Sequence, residues 1–150
     1  MDAVTYPEKE VARFMLEHFV PVRINTDDDP ELTKKYRAPW TPTFLILDPD
    51  GTEYYREIGY LPPQDMVAHL SLALGRAALE QRNFAEAAGH LATVVDHYGA
   101  SELVPEALYF LGVVKNRLSG KADERRALWK RIVDQYPKSD WAKKVSFAFE

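Results

Sequence analysis

A chain of 150 residues, 46% hydrophobic and 12% aromatic, is long enough for one good core or two small ones packed together. Its net charge of −4 argues against general nucleic-acid binding. No apolar run is long enough to span a bilayer, and the absence of cysteine excludes disulfides, thiolate catalysis and cysteine-ligated zinc. Met1 is followed by Asp2 with no basic-then-apolar stretch, so no signal peptide is read and a cytoplasmic location is expected. Charge is uneven: residues 1–60 carry 7 basic and 12 acidic side chains, residues 61–114 carry 2 and 6, and residues 115–150 carry 10 and 5. The basic end reads first as a solvated helix face, and second as a docking surface for an acidic partner.

In chain order, Pro7 suits a first helical position, and Val11, Phe14, Met15 and Phe19 recur at helical spacing, which predicts a helix over Pro7–His18. Phe19–Asn25 reads as a strand, with Pro21 favouring an edge or a bulge. Asp29 is a good N-cap and Pro30 a good first residue for a short helix to Tyr36. Thr43–Leu47 reads as a buried strand, Asp48-Pro49-Asp50-Gly51 as a turn, and Glu53–Gly59 as the returning strand. The order α-β-α-β-β then gives way to helix from Pro62 onward.

The helical part carries an internal pattern: Leu74-Gly75, Ala78, Asn83-Phe84, Glu86-Ala87, Leu91 and Val94, then Leu111-Gly112, Gly120, Trp129, Ile132 and Tyr136-Pro137. The second set departs from the first: one extra residue precedes Gly120, and Arg125 stands where the pattern calls for alanine. Ser139–Phe149 starts as the next first helix would.

Trp40-Thr41-Pro42-Thr43, running into an apolar strand that closes on Asp-Pro-Asp-Gly, resembles the cis-proline loop, fourth strand and hairpin of the thioredoxin superfamily, over roughly Met1–Leu74. The small-residue pattern resembles tetratricopeptide repeats over roughly Ala68–Phe149, and its Tyr-ended helices resemble repeats of bacterial envelope proteins. The resemblance implies a truncated thioredoxin-like sheet with helices (α/β), residues 1–74, followed by all-α helical hairpins, residues 68–150. The two share the helix from Pro63, a rigid junction with no Gly/Ser-rich linker. The family's first strand, the strand that carries its Cys-x-x-Cys motif, and the motif itself are not in this sequence. The resemblance implies that Phe19–Asn25 and Thr43–Leu47 flank the missing strand. They are then expected either to pair with each other, giving a three-stranded meander, or to be joined by a second copy in a homodimer through the incomplete sheet.

Trp40, Thr41, Pro42 and Thr43 are the first candidate site, because the family's loop offers backbone groups to an extended peptide; the plainer reading is a turn shaped by Pro42. On the repeats, Leu72, Arg76, Leu79, Tyr109, Val113 and Asn116 are expected to line a peptide-binding groove, with Arg76, Tyr109 and Asn116 its polar contacts; cover for the sheet is the alternative role. Asp27, Asp28, Asp29 and Glu31 are better explained as an acidic helix start than as a cation site. Asp48, Asp50 and Glu53 lack full calcium-loop spacing. His18, His69, His90 and His97 form no metal motif, and neither a nucleophile elbow nor a phosphate loop is present. No catalytic residue, metal or cofactor is therefore expected. The leading expectation is a non-catalytic protein- or peptide-interaction module. The alternative is the C-terminal portion of a thiol-disulfide oxidoreductase whose dithiol lies upstream of Met1.

Overall fold

The computed structural model describes residues 1–149. They form two compact units, Met1–Val67 and Ala68 onward.

In the first unit, helix α1 spans Lys9–His18, helix α2 Pro30–Lys35, strand β1 Thr43–Leu47 and strand β2 Glu53–Ile58. Helix α1 starts two residues later than Pro7, because the chain first makes a tight turn in which the Met1 carbonyl accepts from the amides of Val4, Thr5 and Tyr6. Thr5 is fully buried, and its hydroxyl donates to the Leu61 carbonyl at 2.7 Å. Helix α2 begins as its sequence demands: Asp29 accepts from the Leu32 amide and Pro30 fills the first position. β1 and β2 pair antiparallel, Thr43 facing Ile58, with a register shift between Ile46 and Leu47. Their turn is built on Asp48, whose carboxylate accepts from the Asp50 and Thr52 amides. Those hydrogen bonds hold its pKa below the usual aspartate value.

Two expectations fail here. Phe19–Asn25 is not a strand, and among the described residues the sheet has two strands, not the three of a meander. The physical reason is the lack of a ladder. Pro21 has no N–H to give, and Val20, Val22 and Ile24 lie 90%, 78% and 42% exposed with no sheet face beneath them.

Helix α3, Pro63–Glu80, leads into the second unit, followed by α4 Phe84–His97, α5 Val104–Ser119, α6 Ala122–Gln135, α7 Asp140–Val145 and a 3₁₀ turn, Ser146–Ala148. The last helix is shorter than Ser139–Phe149; Ser139 caps it by accepting from the Ala142 amide. Helices α4 and α5, α5 and α6, and α6 and α7 pack in succession. The core is Leu72, Ala78, Leu91, Val94, Leu108, Val114, Ile132 and Val145.

The two hairpins repeat each other. A Cβ on Gly75 would lie 2.7 Å from Leu91 Cγ, and one on Gly112 would lie 2.9 Å from Trp129 Nε1, so both glycines mark a close approach of first helix to second. Matching features recur at an offset of 38: Arg82 and Gly120 at positive φ, Leu91 and Trp129 against the glycines, Val94 and Ile132 carbonyls accepting from the Tyr98 and Tyr136 amides, and Ser101 and Ser139 amides donating to those tyrosines. The glycines are offset by 37, so the extra residue sits in α5, between Gly112 and its turn. Arg125 substitutes for alanine by laying its guanidinium over the Trp129 ring, 5.0 Å from the centroid.

Candidate functional site

In the first unit, the loop before β1 is held from below. Arg56 on β2 donates to the Tyr36 carbonyl at 2.7 Å and the Arg37 carbonyl at 3.2 Å, and pairs with Glu53. This fixes the end of α2 and the start of residues 38–42. The Thr41–Pro42 bond is cis. The Pro42 carbonyl accepts from the Gly59 amide at 2.9 Å, and the Trp40 carbonyl accepts from the Thr43 hydroxyl. Two backbone acceptors of this loop are therefore already bonded within the chain. What the loop presents outward is the Trp40 ring, 70% exposed. Because Pro42 and Gly59 form a hydrogen-bonded pair, the backbone groups of Thr43 and Leu45 turn to the opposite edge of β1. No strand pairs with that edge among the described residues.

In the second unit, side chains from four helices meet. Arg76 on α3 donates to Glu106 on α5 at 3.3 Å and lies over the Phe110 ring, 5.5 Å from its centroid. Tyr109 on α5 stacks flat on Trp129 of α6, with centroids 5.1 Å apart and planes at 4°. Its neighbour Trp141 on α7 lies 4.9 Å from Tyr109 and 5.6 Å from Phe110. Lys144, one turn on, places its ammonium 3.8 Å from the Trp141 centroid. The stack is fixed by Gly112, whose missing side chain lets the indole lie across α5, and by Trp129 Nε1, which donates to the Tyr109 carbonyl at 3.1 Å. Burial pushes the Glu106 carboxyl above the usual glutamate value, against the pull of Arg76 and Lys144.

The structure thus brings Arg76 and Tyr109 into one cluster. Asn116 stands further along α5, on the stripe of Tyr109 and Val113, where its carbonyl accepts from the Gly120 amide. Leu72 does not line a groove: it is 1% exposed and belongs to the core. Helix α3 buries its apolar face, and Leu72 is on that face. Trp40–Thr43 belong to the other unit. Glu106, Phe110, Trp141 and Lys144 were not singled out by sequence. The only signal near them was the basic excess of residues 115–150, which includes Lys144. Asp29 serves as a cap, and Asp28 accepts from Asn25 at 2.7 Å. Among the described residues no group of three His, Asp or Glu side chains is placed to hold a metal.

One comparison assigns a family to part of the chain. Residues 2–74 match the family model of a thioredoxin-like domain. No curated protein and no solved structure matches the chain significantly. The thioredoxin-like region takes in α1, α2, β1, β2 and the Trp40–Thr43 loop and reaches into α3. It holds no cysteine, so this chain's own residues supply no thiolate for disulfide exchange. Among the described residues no helix is long and apolar enough to cross a membrane.

Proposed function

We propose that this chain is a non-catalytic protein- or peptide-interaction module, a thioredoxin-like layer followed by tetratricopeptide-type hairpins, with its docking face on α3, α5 and α7. One observation carries the reading: three alternate helices, α3, α5 and α7, each contribute to a single half-exposed cluster of rings and cations, Arg76, Phe110, Tyr109, Trp141 and Lys144. Tryptophan, tyrosine, phenylalanine and arginine are the residue types enriched at protein interfaces. The 38-residue recurrence and the two glycine contacts support the tetratricopeptide assignment. Trp40–Thr43 is a second, smaller contact in this reading, through the exposed Trp40 ring. Panning a random phage-displayed peptide library against the folded chain tests it. Enrichment of peptides whose binding is lost on Trp141→Ala is expected; no enrichment, or enrichment indifferent to that change, overturns the assignment.

The thioredoxin-like match favours a second reading, in which a dithiol encoded upstream of Met1 completes a thiol-disulfide oxidoreductase. Genomic DNA decides between the two. An in-frame Cys-x-x-Cys preceded by a strand pattern supports the enzyme, and an in-frame stop codon just ahead of Met1 removes it.

A further inference from the structure

We propose that the α3–α5–α7 face takes an acidic peptide segment bearing an aromatic residue, with its carboxylates held by Arg76 and Lys144 and its ring laid against Phe110 and Trp141. This rests on the reading of the chain as a peptide-interaction module and names the chemistry of its partner. The argument is charge complementarity at two ranges. At long range, residues 115–150 carry 10 basic and 5 acidic side chains, a field that draws in an anionic segment. At short range, each end of the aromatic floor carries a cation lying over a ring, Arg76 over Phe110 and Lys144 over Trp141. A cation already stacked on a ring is oriented for a carboxylate at little further entropic cost.

Glu106 sets the selectivity. It faces Arg76 from α3 and Lys144 from α7, and it is the acid that an incoming carboxylate must displace from Arg76. Its burial already favours the neutral form. A ligand carboxylate beside it favours that form further, so ligand binding is coupled to proton uptake and affinity rises as pH falls. The ligand's own glutamates ionise near pH ~4.3, below the range in which this coupling is read.

Fluorescence anisotropy with a fluorescein-labelled peptide of alternating glutamate and phenylalanine, and its glutamine and lysine counterparts, tests the proposal. At neutral pH the glutamate peptide is expected to bind more tightly than the glutamine and lysine peptides. Arg76→Gln and Lys144→Glu each weaken it by about two- to fivefold, the worth of one partly exposed charge contact. Glu106→Gln strengthens binding by a similar factor and flattens its pH dependence. Lys144 is exposed, so its variant carries the test should Arg76→Gln lower stability. If the glutamine or lysine peptide binds as well as the glutamate peptide, the acidic preference is wrong while the interaction-module reading stands. Glutamate-peptide binding that ignores Lys144→Glu places the ligand elsewhere and overturns the proposal. If none of the three peptides binds, the proposal also falls; the interaction-module reading falls with it only when library panning is empty as well.

Discussion

Gly112 shows how one atom's absence organises a surface. Any Cβ there would meet Trp129 Nε1 at 2.9 Å and Cδ1 at 3.0 Å, and Trp129 is buried, so the indole has nowhere to retreat. Its displacement would break the hydrogen bond to the Tyr109 carbonyl and the flat stack on the Tyr109 ring. Gly75 is the matching position, facing the fully buried Leu91. Gly75→Ala and Gly112→Ala are each expected to cost about 1–3 kcal/mol from overpacking, measured by denaturant unfolding. Gly112→Ala alone should also change the near-ultraviolet circular dichroism, because only it touches the aromatic stack. An unchanged unfolding midpoint for both would remove the close-approach account of the hairpins. Glu106 gives a prediction with a sign. Its folded pKa is raised, so between the unfolded and folded values the folded state holds more proton, and stability falls as pH rises through that window. The difference in melting temperature, Glu106→Gln minus wild type, is therefore expected to grow as pH rises above the unfolded glutamate value of about 4.3 and to level off above the folded value. A flat or shrinking difference would mean that the Arg76 pair outweighs burial.

At the scale of elements, the turns explain where the two hairpins agree and differ. The α3–α4 turn places Arg82 at φ 63°, and the α5–α6 turn places Gly120 at φ 71°. A side chain in the left-handed region costs roughly 1–2 kcal/mol, part of which glycine gives back through its freer unfolded chain. Arg82→Gly is expected to stabilise the chain by about 0.5–1 kcal/mol, read as a rise in unfolding midpoint; a loss of stability would show that Arg82 contributes a contact worth more than its strain. These elements were legible in the sequence because local chemistry decides them. Asp29-Pro30 starts a helix, Asp48-Pro49-Asp50-Gly51 turns a hairpin, and small residues at helical spacing mark where helices touch. Phe19–Asn25 was misread because a strand depends on a partner that alternation and β-branching do not reveal. Arg76–Glu106 was invisible for the same reason: the pair is separated by 30 residues, and nothing in either neighbourhood announces the other.

At the scale of the whole molecule, the open edges of the first unit remain to be accounted for. The sequence suggested two ways to close them, and among the described residues the intramolecular one is absent, with β1 paired to β2 alone. Val20, Val22 and Ile24 stay exposed, and in an extended segment they share one face and one hydrogen-bonding edge. The missing N–H of Pro21 falls on the other edge, so theirs is intact. An antiparallel pairing of two copies centred on Val22 sets Val20 opposite Ile24 and Arg23 opposite Pro21, with no like charges facing. A dimer brings together six such side chains, each contributing at most about 1.5–3 kcal/mol on full burial, a limit that a two-stranded ribbon with water on its faces falls well short of. Association costs about 4–15 kcal/mol in lost freedom, so the two nearly cancel and any dimer is weak. We expect light scattering across a concentration series to show mass rising only towards the concentrated end. Val22→Lys, which puts a charge at the centre of the edge, is expected to abolish the rise without altering the far-ultraviolet spectrum. A stable monomer at every concentration would rule out the dimer, and a rise that survives Val22→Lys would move the contact to another edge, such as the outer side of β1.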